Sequence, residues 1–228
     1  MDPLITIGAI DDDLMGLEGK ALWFEVKSNV RVLVTAASVA EFLAADPPPG
    51  IVTLDLNLGN GTLPADNVRA LVGAGHKVVI VTVVPEKRWI IETTEAGASA
   101  YLTSRACNLG KLVDVIRALD RGELPTTAEH AFWLAQDDRP DKPRLTPTES
   151  QVLRLVGDGI KQESVGRRLG MARSTVATHL TNIRGKYGDS GLPYAGAADY
   201  RDWAKQQELD RDRHDPAKGQ APAPDVEP

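Results

Sequence analysis

Five times in the first 120 residues a short β-branched apolar run is followed by a stretch with helical spacing, and this alternation limits the fold more than any other feature. The runs are "LITIGAI" at 4–10, "VRVLVTA" at 30–36, "GIVTLDL" at 50–56, "KVVIVTVV" at 77–84 and "ASAYLT" at 98–103. Rich in Val, Ile and Thr, they read as buried strands. Helical periodicity occupies 14–26, 39–45, 65–74, 86–96 and 109–121. Parallel neighbours need a crossover, usually a helix, so five such units predict a doubly wound parallel α/β sheet. In such sheets the active site lies at the carboxyl ends of the strands.

Residues 122–143 begin with turn residues, pass through a short helical stretch and end charged and Pro-rich, which reads as a linker. From Leu145 only helical patterns follow, at 148–157, 162–169, 172–187 and 193–208. Thr146, Pro147 and Glu149 form a helix start, as N-cap, N1 residue and the acid of a capping box. The last twenty residues hold almost no large apolar side chains and are expected to be disordered. The expected division is a sheet domain over 1–121, a linker over 122–143, an all-α module over 144–208 and a tail over 209–228.

Charge is unevenly spread. Residues 1–120 carry 10 basic and 15 acidic side chains, whereas 144–206 carry 10 basic and 6 acidic, a net +4 inside a chain of net −6. That basic segment is the place to look for a phosphate-backbone partner. The single cysteine, Cys107, excludes an internal disulfide framework and is read as inert packing sooner than as a redox handle. One Cys and four scattered His give no zinc-type spacing. No apolar run is long enough to span a bilayer, and the N-terminus lacks a signal peptide's basic start and apolar core, so a soluble cytoplasmic protein is expected.

Asp11, Asp12 and Asp13 follow the first strand, Asp55 ends the third and Thr82 lies near the end of the fourth. In a doubly wound sheet those termini converge, so Asp11, Asp12 and Asp55 are expected to crowd together. Such crowding is costly unless a cation offsets it, and hard oxygen ligands suit Mg²⁺. A carboxylate beside Mg²⁺ can attack a phosphoryl group, and a hydroxyl such as Thr82 can bind a phosphoryl oxygen. Asp13 is read as a helix-start residue.

In the C-terminal part, helices 162–169 and 172–187 are separated by Gly170 and Met171, a turn of helix-turn-helix type. The second is the candidate recognition helix. Val176, Leu180 and Ile183 recur at i, i+4 and i+7 and must face the core; His179, beside that stripe, is read as structural. Arg173, Ser174, Thr175, Ala177, Thr178, Thr181 and Asn182 face outward. Arg167, Arg168, Arg184 and Lys186 suit phosphate contacts that position without reading sequence. The last helix, with Tyr194, Tyr200 and Trp203, is expected to pack on this module or to form a dimer interface.

"ITIGAIDDDLMGLEG", "IVTLDLNL", "VVIVT" and "EAGASAYLT" resemble the receiver domain of bacterial two-component response regulators. "LTPTESQVLRLVGDGIKQESVGRRLGMARSTVATHLTNIRGKYG" resembles a LuxR-type helix-turn-helix. Together they resemble the NarL/FixJ family over about residues 4–206. The resemblance implies a flavodoxin-like (βα)5 receiver followed by a four-helix DNA-binding domain. It further implies Mg²⁺ on Asp11 and Asp12, a phosphoacceptor at Asp55, a switch hydroxyl at Thr82 and a rotamer-changing aromatic at Tyr101. Two departures stand out. Ser104 occupies the place of the family's phosphoryl-pairing lysine, and adjacent Arg105 points to the opposite face of an extended segment. After Asp55, Leu58 and Gly59 replace the usual Met-Pro pair, which implies a looser loop through Asn60, Gly61 and Thr62.

The leading expectation is a transcriptional regulator, not an enzyme, that binds double-stranded promoter DNA as a homodimer. Control by a histidine kinase through Asp55 and phosphorylation-independent control both stay open. The competing classes are a protein-interaction scaffold and a small Mg²⁺-dependent phosphotransfer protein. The latter ranks low because no second phosphate-binding loop is present.

Overall fold

The sheet is fully parallel, in the order β2-β1-β3-β4-β5, and is built from β1 (Ile5–Ile10), β2 (Val30–Ala36), β3 (Ile51–Leu54), β4 (Lys77–Thr82) and β5 (Ala100–Thr103). A computed structural model describes residues 3–83, 85–103 and 109–189, all within one compact unit, Met1–Tyr194. The helix expected at 193–208, with Tyr194, Tyr200 and Trp203, and the tail at 209–228 lie outside the described residues, as do Ser104, Arg105 and Cys107.

Crossover helices α1 (Leu14–Lys27), α2 (Val39–Leu43), α3 (Pro64–Gly73) and α4 (Lys87–Glu95) link the strands, and α5 (Leu109–Asp120) follows the last of them. Strand order reverses between β1 and β3, so the carboxyl ends of these two central strands open onto the switch-point crevice. Burial follows position: β1 and β4 are almost wholly buried, while edge strand β2 is buried only at its ends and alternates between half-buried and exposed residues in between. Gly8, mid-β1, is required by packing, because a Cβ there would lie 2.1 Å from Cε2 of Phe42 on α2.

The other edge strand, β5, is buried along its whole length. Part of its cover is α6 (Ala128–Ala135), the first of four helices that continue with α7 (Pro147–Gly157), α8 (Gln162–Leu169) and α9 (Arg173–Gly188). These four helices share one core of Ala131, Leu134, Val152, Leu153, Val156, Val165, Val176, Leu180, Ile183 and Tyr187, which Ile91 of α4 joins. Helix α6 falls within the segment read from sequence as a linker, yet Leu134 and Ala131 are core residues and the Tyr187 hydroxyl donates to the Leu134 carbonyl at 3.2 Å. Helix starts follow the expected chemistry. Asp13 caps α1 by accepting from Gly16 N–H at 3.0 Å, and Thr146 and Glu149 close the capping box of α7.

Candidate functional site

Asp11 follows β1 directly, its N–H donating to Ala36 O at 3.1 Å, and Asp55 follows β3, its N–H donating to Ile10 O at 2.9 Å. These backbone bonds extend the sheet by one residue and fix both carboxylates at the rim. Asp11, Asp12 and Asp55 offer ligand oxygens that all lie within 4.8 Å of one another, so the crowding expected from sequence is present. Asp11 and Asp55 are buried and Asp12 is exposed. Asp11 also accepts from Asp13 N–H through Oδ1 at 3.0 Å and from the Lys20 ammonium through Oδ2 at 2.7 Å. Three carboxylates at the mouth of a crevice, one of them open to water, are a donor set that fits a hard, partly hydrated divalent cation.

Thr82 closes β4 and is buried. Tyr101 lies in β5 with its hydroxyl buried and without a hydrogen-bond partner among the described residues. Burial raises that phenol well above its ordinary value, and the charges of Glu129, Asp55 and Glu86 push the same way. Ser104, the third switch residue expected from sequence, lies outside the described residues. The loop after Asp55, expected to be loose, carries hydrogen bonds of its own. Asn60 Oδ1 accepts from Thr62 N–H at 3.0 Å and from its hydroxyl at 2.6 Å, and Asn67 Nδ2 donates to Thr62 Oγ1 at 2.8 Å.

The open edge of β5 is capped by polar groups of the helical module. Thr127 donates to Tyr101 O at 2.9 Å, and Glu129 accepts from the Thr103 hydroxyl at 2.8 Å. His130, fully buried, meets Thr94 of α4 through Nε2 at 2.8 Å. The Thr94 hydroxyl already donates to Ile90 O at 2.6 Å, so Nε2 carries the proton, and the Nδ1 lone pair meets no donor among the described residues. Arg139 joins Glu95 of α4 (2.6 Å) to Asp137 (3.0 Å), and Lys87 reaches Asp138 at 2.6 Å. None of these partners has a sequence spacing that announces it; only the Thr127 cap with "AEHAFWLA" after it hinted that a helix was there.

On α9 the core stripe is as expected, with Val176, Leu180 and Ile183 buried. Arg173, Ser174, Thr175, Ala177, Thr178, Thr181 and Asn182 are exposed, as are Arg167 and Arg168 on α8. Arg173 pairs with Glu163 at 3.1 Å. Two of the expected phosphate contacts require correction. Arg184 is 9% exposed and donates through Nη2 to Ala98 O and Ser99 O, both at 2.6 Å, because its turn of α9 faces the start of β5. Lys186 is turned onto Glu149 at 2.5 Å, so its charge serves the module's own capping box. Neither is presented to a ligand in this arrangement. Thr178 and Thr181 donate back to Ser174 O and Ala177 O at 3.0 and 3.1 Å, which leaves their methyls and oxygen lone pairs outermost. Opposite this face stand Arg121, Glu123, Leu124 and Pro125, closing a cleft of about 720 Å³ over Arg173, Ala177, Thr178 and Thr181.

Residues 143–191 match the luxR family of bacterial regulatory proteins. Over 194 residues the chain is 27% identical to the transcriptional regulatory protein LiaR of Bacillus subtilis, an alignment covering 80% of this chain and 90% of that relative. It is 25% identical over 187 residues to the transcriptional regulatory protein UhpA of Escherichia coli, covering 82% and 93%. Among solved structures, the response regulator ChrA of a heme-sensing two-component system is similar at 26% identity and TM-score 0.50, covering 91% of this chain and 100% of that one. RcsB, solved as two dimers bound to two parallel DNAs, shares the fold at 16% identity and TM-score 0.52, with 81% and 92% covered.

Proposed function

On the premise that residues 143–191 form a luxR-family module within a chain built like a response regulator, we propose that this protein is a transcriptional regulator that reads duplex DNA with α9. The observation that carries this reading is the exposed face of α9, polar and small-residue, flanked by Arg167 and Arg168 on α8. Such a helix fits the major groove, with base edges met by the early turns and phosphates by the neighbouring arginines. The Thr178 and Thr181 methyls suit thymine, and their free lone pairs suit an amino group of cytosine or adenine. The relatives are transcriptional regulators and not enzymes, which sets the phosphotransfer class aside.

We assign α6 to the DNA-binding module, since it shares that module's core, and the receiver to the residues before it. Two such modules side by side suit a two-fold symmetric site, so a homodimer is the expected binding form. Loop 121–126 stands where a duplex would lie against α9. DNA access therefore requires the module to part from α4 and β5. The Asp11, Asp12 and Asp55 cluster is the natural control point. Mg²⁺ held there would neutralise the charge of a phosphoryl group arriving at Asp55 from a histidine kinase, with Thr82 at hand for one of its oxygens. The residues also act in a cytoplasmic setting, where DNA and such a kinase domain are found.

Selection from a pool of random duplexes by residues 126–228, in which α9 is free of the receiver, tests the reading. Enrichment of a common half-site that is lost in Thr178→Val/Thr181→Val supports it; an unenriched pool overturns it.

A further inference from the structure

Helix α1 buries Leu17 and Phe24, seven residues apart on one stripe, and Lys20 sits between them at i+3 and i−4. A lysine on a core-facing stripe needs a partner for its charge. It finds one nine residues back in the chain, where its ammonium donates to Asp11 Oδ2 at 2.7 Å. Helical side chains lean toward the helix N-terminus, which here abuts the end of β1, so the long stem delivers Nζ to the acidic rim. Lys20, Asp11 and Asp55 line the same small cavity with Leu17 and Phe24. The side chain is 38% exposed, so water reaches it and the ammonium is free to swing out.

We propose that Lys20 is a counter-ion built into the receiver that competes with the divalent cation for Asp11 and sets how tightly the acidic cluster holds it. This rests on the reading of Asp11, Asp12 and Asp55 as a cation site. A metal that ligates Asp11 through Oδ2 must first displace the ammonium. One that ligates only Asp12 and Asp55 still enters a pocket with one carboxylate already neutralised and a positive charge beside it. Both routes lower affinity, and both disappear when the charge is removed. The receiver then fills its cation site only at high Mg²⁺, or once an arriving phosphoryl group supplies the extra negative charge.

Titration of MgCl₂ into the full-length chain by isothermal calorimetry tests this directly. Lys20→Met, which keeps an unbranched stem and a good helix former, is expected to bind Mg²⁺ roughly tenfold more tightly than the wild type. Lys20→Arg, which keeps the charge, is expected to stay near the wild type, and Lys20→Gln provides a second neutral variant if the methionine chain is poorly folded. Equal affinity in wild type, Lys20→Met and Lys20→Gln would overturn the role of Lys20 while leaving the cation site intact. Absence of binding in all of them, matching an Asp12→Asn/Asp55→Asn reference, would overturn the cation site and the proposal together.

Discussion

Arg184, in the last turns of α9, donates through Nη2 to the carbonyl oxygen of Ser99 at the entry to β5, 2.6 Å away. The same nitrogen reaches Ala98 O at 2.6 Å, and no carboxylate among the described residues pairs with it. Burial pushes the guanidinium down to about 10, which still leaves it charged at neutral pH. A cation held by backbone carbonyls ties the recognition helix to the receiver at the edge strand. Arg184→Met strands both carbonyls and is expected to weaken docking by about 1–3 kcal/mol. Hydrogen exchange should then rise in α4, α6 and β5 together while the sheet centre stays protected. Unchanged exchange in α6 would show that Arg184 does not hold the two parts together.

Burial, with a smaller push from the Arg184 charge, brings the His130 imidazole down to about 3 from its usual value near 6.5. Below pH 6.5 the unfolded chain takes up a proton that the folded chain refuses. Stability contributed by neutral His130 is therefore complete above about pH 6.5 and falls as pH drops toward 3. Between pH 7 and pH 5 the loss attributable to this residue is about 2 kcal/mol. Urea unfolding of wild type and His130→Gln over that range should show a shallower pH slope in the variant. Parallel slopes would contradict the burial of a neutral imidazole at Thr94.

Because Ala131 and Leu134 complete the helical core, the module cannot be cut at the end of the expected linker. A fragment over 126–228 is expected to unfold cooperatively, and one over 144–228 to lose several kcal/mol with the removal of two buried side chains and the Tyr187 hydrogen bond. Circular dichroism melts distinguish the two. Similar melting would show that α6 contributes nothing to the module.

The turn between α8 and α9 depends on Gly166. A Cβ there would lie 2.6 Å from Met171 O, a backbone atom that also accepts no relief from a rotamer change. Gly166→Ala is expected to cost about 1–3 kcal/mol by overpacking and to tilt α9 off its register. A variant of undiminished thermal stability and DNA affinity would refute this.

The sheet was legible in the sequence because β-branched runs alternating with helical periods admit few topologies. The acidic cluster was legible for the same reason: once the strands are placed, the ends of β1 and β3 must meet. Asp13 and the Thr146 capping box were legible because caps are local chemistry. What was not legible depends on contact between distant segments. Arg184 looks like any arginine of a basic recognition helix, and only the docking of α9 on β5 buries it. Thr103 and Glu129, 26 residues apart, meet because α6 covers the edge of the sheet. Lys20 carried a faint signal, a charge between Leu17 and Phe24, but its partner became evident only with the lean of α1 over the rim.

The most direct test of the central claim is the affinity of the 126–228 fragment for duplex DNA across a salt series. The account predicts that log K falls linearly with log salt, and that Arg167→Ala and Arg168→Ala each flatten the slope by roughly 0.9, one phosphate contact apiece. Affinity that ignores salt, or a slope untouched by both substitutions, would contradict the account.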